Sequence, residues 1–171
     1  MDLNRLTQKA QQALSAAQDM ATRAGHTEVD GEHLLFALLE QPDGLLPRLL
    51  TGLDVDVAAL RRELAGEVER KPRTTGPATQ PGQVSVTQRL ARLLQAAEQE
   101  ARRLKDEYVS VEHLAIALAE EGSATAVGRL LARHGVARDR LLAELTAVRG
   151  NQRVTSATPE GTYDALAKYG Q

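Results

Sequence analysis

The chain writes the same helix start twice. "EVDGEHLLFALLE" occupies residues 28–40 and "EYVSVEHLAIALAE" occupies residues 107–120. Sliding the sequence on itself by 80 residues lays residues 6–40 on 86–120 without a gap. Of those 35 positions 14 are identical, among them Thr7/Thr87, Leu14/Leu94, Val29/Val109, Glu32/Glu112 and His33/His113. After a one-residue insertion, Leu49, Val55, Leu60 and Leu64 fall on Leu130, Val136, Leu141 and Leu145. Two copies of so long a unit do not make a solenoid; they make two equivalent halves that must bury their apolar faces together.

Each copy reads as four helices. The first helix carries Leu6, Ala10, Ala13, Leu14, Ala17 and Ala21, and its counterpart carries Val86, Leu90, Leu93, Leu94, Ala97 and Ala101. Spacings of three and four make one apolar stripe on each. Ala dominates the first stripe and Leu the second, so the two copies offer unequal surfaces. Asn4 and Ser85, the latter with Gln88 three residues on, are the expected caps. Asp30 and Ser110 cap the second helices and place Glu32 and Glu112 in first turns, where the helix dipole favours a carboxylate by roughly 0.3–1 kcal/mol. Short third helices follow near 45–50 and 125–133, and fourth helices near 57–69 and 138–148. Val55 before Leu60 and Val136 before Leu141 have hydrophobic-staple spacing. The expected fold is all-α: two tandem four-helix repeats packed with pseudo-twofold symmetry.

The expected domain is 1–149, with repeat one at about 4–70 and repeat two at about 86–149. "KPRTTGPATQPGQVS" (71–85) is rich in Pro, Gly and Thr and reads as the loop between repeats. Residues 150–171 read as a linker and the start of another helix, with Thr158 as cap and Pro159 at the first helical position.

Composition narrows the function. Phe36 is the only Phe, Trp is absent and three Tyr remain, too little for a base-stacking platform. A net charge of −2 leaves no footprint for DNA or an anionic membrane, so neither is an expected partner. The chain has no Cys, its start "MDLNRLTQKA" lacks a signal-peptide stretch, and no apolar run is long enough to span a bilayer. The cytoplasm is the expected compartment.

The catalytic inventory is thin. No phosphate-binding GxxxxGK[ST], HExxH, GxGxxG or GxSxG occurs. His33 and His113 sit in equivalent places in different copies, which favours hydrogen bonds to neighbouring loops over a shared metal. Glu32 and Glu112 invite an acid–base reading, but helix-start stabilisation accounts for both. Thr7 and Thr87 can satisfy first-turn backbone groups, and "RRLKDE" (102–107) reads as a solvated helix end. A non-catalytic role is expected.

The double pattern resembles the Clp amino-terminal (Clp repeat) domain of the Clp/heat-shock AAA+ ATPases. It rests on "LTQKAQQALSAAQDMA" with "VDGEHLLFALLE", echoed by "VTQRLARLLQAAEQEA" with "VSVEHLAIALAE". "LNRLTQKA" and "ALAKYG" point to the ClpB-type disaggregase branch. The resemblance implies a mobile domain on a hexameric ATPase ring; the isolated domain is expected to be a monomer. Such a domain captures exposed apolar segments of unfolded or aggregated polypeptides and passes them to the ring, which works with the DnaK chaperone system. ATP and Mg would belong to AAA+ modules outside this chain, leaving no cofactor here. The resemblance also implies a substrate site at Thr7, Asp106 and Glu112, with Leu94, Leu90 and Leu93 in an apolar groove rimmed by the two acids. His113 stands where many such sequences are apolar. Two other readings remain: a ClpC- or ClpA-like domain that docks adaptors or phosphoarginine through Glu32 and Glu112, and a standalone helical scaffold.

Overall fold

The exchange of short extended segments between the repeats organises the molecule, seen in a computed structural model that describes residues 2–73, 84–150 and 152–159. Repeat one contains helices α1 (Gln8–Arg23), α2 (Gly31–Glu40), α3 (Leu45–Gly52) and α4 (Val57–Glu69). Repeat two contains α5 (Gln88–Arg103), α6 (Val111–Glu120), α7 (Ala126–Arg133) and α8 (Arg138–Arg149). Strand β1 (Glu28–Val29), just before α2, pairs in parallel with β2 (Ser85–Val86), just before α5. Its counterpart is a parallel bridge between Leu6, just before α1, and Val109, just before α6. Since Leu6 corresponds to Val86 and Val29 to Val109, each repeat lends its entry segment to the other. That reciprocity is the pseudo-twofold.

The first helices start later than their sequence cues suggested. Thr7 and Thr87 are the caps: their hydroxyls accept the Ala10 and Leu90 N–H groups at 3.2 and 3.0 Å. Asn4 lies instead in a short 3-10 turn, Leu3–Arg5, and Ser85 lies in β2. Asn4 gives its N–H to the Asp2 side chain within that turn, and Ser85 is taken up by the strand exchange, so neither opens a helix. Val86, expected on the α5 stripe, is consequently 46% exposed.

The core is continuous across both repeats. Leu34, Leu38, Leu114 and Leu118 on α2 and α6 are fully buried, so these helices form its centre. The Ala stripe of α1 (Ala10, Ala13, Ala17, Ala21) is buried to 0% exposure and permits close approach. Both staple pairs, Val55/Leu60 and Val136/Leu141, are buried as expected.

The segment read as a linker differs. Val154 is fully buried and belongs to the core cluster, and Pro159 is buried as well. Residues 152–159 therefore return to the body; the helix expected beyond Pro159, like loop residues 74–83, lies outside the described residues.

Candidate functional site

An open groove of about 320 Å³ crosses the seam between the repeats. Its apolar lining is Leu6, Leu14 and Val29 from repeat one and Val86, Leu90 and Leu94 from repeat two. Two of these pairs, Leu6/Val86 and Leu14/Leu94, are equivalent positions, so the groove lies where the pseudo-symmetry brings the entry segments and first helices together. Leu3, 60% exposed, stands at its edge. Gln11, Ser15 and Gln18 add uncharged polar groups along the α1 wall. Among the described residues, no charged side chain lines it.

The six positions singled out from the sequence separate into three places. Leu90 and Leu94 line the groove. Leu93 is buried and lines a different, charged depression with Arg89, Arg92 and Glu120. One turn of α5 presents it to the α6 side, while Leu90 and Leu94 reach the seam. Thr7, Asp106 and Glu112 line neither depression. Thr7 is fully buried as a helix cap, with its N–H donating to Val109 O at 2.9 Å. Asp106 is 6% exposed and Glu112 fully buried, so the acids do not rim the groove.

These acids instead form an internal network. His113 Nδ1 accepts the Ser110 N–H at 2.8 Å, so the ring proton sits on Nε2 and donates to Asp106 Oδ2 at 2.7 Å. Arg149 Nη2 donates to Asp106 Oδ1, and Arg149 Nη1 lies 3.6 Å from Glu112 Oε2. Ser110 Oγ donates to Glu112 Oε1. Burial pushes the Asp106 carboxyl up. Hydrogen bonds from His113, Arg149 and the Val154 N–H outweigh that and hold it below the usual aspartate value. A buried charge is tolerated when it is paired and hydrogen-bonded in this way. Arg149 was invisible as a member because 43 residues separate it from Asp106.

Repeat one repeats the geometry with other chemistry. Asp106 corresponds to His26, whose Nδ1 lies 2.9 Å from His33 Nε2; His33 Nδ1 accepts the Asp30 N–H at 3.0 Å. Both histidines thus bond to neighbouring loops. Glu32 is ion-paired with Lys71, and Asp30 accepts the Thr87 hydroxyl at 2.9 Å across the seam. Among the described residues, no group of three or more His, Asp or Glu could hold a metal, and no helix is long and apolar enough to cross a membrane.

Known proteins share this architecture. All 171 residues align at 48% identity with a chaperone protein ClpB of Nitratidesulfovibrio vulgaris, of which they cover 20%. The chain thus spans about a fifth of the length of such relatives. The Hsp104 N-terminal domain of Candida albicans superposes with a TM-score of 0.77 at 20% identity, covering 91% of this chain and 98% of that one. The N-terminal domain of the E. coli ClpV1 ATPase superposes with a TM-score of 0.71 at 28% identity, covering 88% and 89%. Residues 5–134 match the family described as the Clp repeat (R) N-terminal domain. With its duplicated helices, exchanged entry segments and ClpB-like sequence, the chain belongs to that family.

Proposed function

We propose that this is the non-catalytic, client-engaging domain of a ClpB-type disaggregase. In this reading it captures exposed apolar segments of unfolded or aggregated polypeptides and passes them to an ATPase ring. The observation that carries the reading is the uncharged apolar groove at the seam. Burial of apolar surface is non-directional and yields roughly 25 cal/mol per Å², so such a groove accepts unrelated segments. After the cost of association, a few hundred Å² of contact leaves only weak binding. Weak binding suits a client that must be released onward. ATP, Mg, the hexamer and the DnaK system would belong to the rest of the machine, and the cytoplasm is its natural compartment.

The adaptor or phosphoarginine reading draws less support, because Glu32 is already paired with Lys71 and Glu112 is fully buried. Titrating the labelled 171-residue chain with an uncharged Leu- and Val-rich peptide separates the two. We expect binding that survives added salt, and Leu94→Ser to weaken it by about three- to tenfold. Peptide binding that vanishes with salt, or that ignores Leu94→Ser while responding to Glu32→Gln, would sink the proposal.

A further inference from the structure

The main chain beyond α8 does not simply depart. Arg149, the last residue of α8, donates from Nε to Gln152 O at 2.9 Å and from Nη2 to the buried Asp106 carboxylate. Asp106 Oδ1 also accepts the Val154 N–H at 2.9 Å, and Val154 O in turn accepts the Glu107 N–H at 2.8 Å. Arg153 Nη1 donates to Leu104 O at 2.8 Å, the Val154 side chain is fully buried, and Gln8 N–H donates to Ala157 O at 2.8 Å. Residues 152–157 therefore form a strap from the end of α8, past the loop between α5 and α6, to the start of α1. Repeat one has a plainer version, a backbone bridge between His26 and Arg73 after α4. Only the second copy places an acid there.

We propose that Arg149 is a positioning residue. By holding the Asp106 carboxylate it latches residues 152–157 to the body, so that the chain leaves beside the amino end of α1 and of the groove rather than from the end of α8. Asp106 and Glu112 then act through this latch rather than by touching a client; that last point rests on the groove reading. The latch explains why three polar residues lie fully or almost fully buried around one exit segment although none lines either of the two depressions.

Amide hydrogen exchange on the 171-residue chain tests it. Arg149→Met keeps the stem and removes the charge. It should speed exchange at Glu107 and Val154 by at least about tenfold and leave Leu60 in α4 as it was. Arg149→Lys should restore much of the protection. Gln8→Pro provides a milder cut: it removes only the N–H that reaches Ala157 O. The first helical position accommodates Pro, and Thr7 already has the extended φ −63°, ψ 162° that a residue before Pro requires. It should loosen Val154 by about threefold. If either folded variant leaves Glu107 and Val154 unchanged, or if Arg149→Met loosens Leu60 equally, the latch is overturned. Affinity for the fluorescein-labelled Leu- and Val-rich peptide should stay within about twofold in Asp106→Asn while falling in Leu94→Ser. A large loss in Asp106→Asn with Val154 exchange unaltered would make Asp106 a client contact instead. Failure of the parent chain to bind the peptide would refute the groove reading and leave the latch to be decided by exchange.

Discussion

His26 and Asp106 hold the same place in the two repeats, and each faces a histidine that accepts a backbone N–H at the start of a central helix. Because His33 Nδ1 accepts from Asp30, His33 Nε2–H must donate to His26 Nδ1, which leaves His26 Nε2 buried with no hydrogen-bond partner among the described residues. Burial, His26 and the Lys71 ammonium hold His33 down to about 4, although Asp30 opposes them. Burial, with Arg73 and Lys71, lowers His26 as well. A histidine lowered in the folded state gains its proton on unfolding. Its contribution to stability is therefore whole above the ordinary value of about 6.5 and declines as pH falls from there towards 4. We expect Tm to drop between about pH 6.5 and 5, above the range where ordinary carboxylates titrate, by roughly 2–4 °C per kcal/mol lost. His26→Asp gives His33 the acceptor that His113 already has and should flatten this slope. An equally steep decline in that variant, followed by thermal denaturation across the window, would rule out the histidine pair as its source.

At the scale of elements, two glycines at helix starts carry opposite expectations. Gly31 opens α2, and a Cβ there would meet Leu118, Val127 and Glu121 atoms at 3.6–3.9 Å, ordinary contact distances. Its counterpart is Val111. Gly31→Ala should therefore stabilise by about 0.4–1 kcal/mol, chiefly by restricting the unfolded chain. Gly128, in the first turns of α7, is packed against backbone: a Cβ would fall 1.9 Å from Gly122 O. Gly128→Ala must displace that turn and should destabilise by about 1–3 kcal/mol. Urea midpoints that move together rather than apart would contradict this reading. Helices α2 to α4 and α6 to α8 were legible because their apolar spacing is strong and written twice. The starts of α1 and α5 were not, because Asn4 and Ser85 are plausible caps and a two-residue strand carries no periodicity. Only tertiary pairing with Val29 and Val109 tells Thr7 and Thr87 apart from them.

For the molecule as a whole, the seam holds both the strand exchange and the apolar groove. The family resemblance, rather than the α5 stripe, points to Leu90, Leu93 and Leu94 as groove residues; Leu90 and Leu94 line this groove and Leu93 lines the other depression. The acids could not be placed, because their partner Arg149 lies far along the chain and Val154 is a lone apolar residue in the polar run "NQRVTSATPEG". Composition says linker there; burial says otherwise. The same exchange makes the repeats interdependent. Separated halves would each lose the pairing for an entry segment, and Leu34 and Leu38 or Leu114 and Leu118, now fully buried in one continuous core, would lose part of their cover. Without that shared cover, a half buries a smaller fraction of its apolar surface against chain entropy of roughly 1–2 kcal/mol per residue. We therefore expect the intact chain to unfold in one cooperative transition and a fragment of residues 1–79 to show no cooperative melt by circular dichroism. Mixing it with residues 80–171 should regain helicity and restore the melt, since the pieces are complementary along the seam. A cooperative transition in either fragment alone would mean that the repeats are independent folding units, and a groove shared between them would then need another explanation for its geometry.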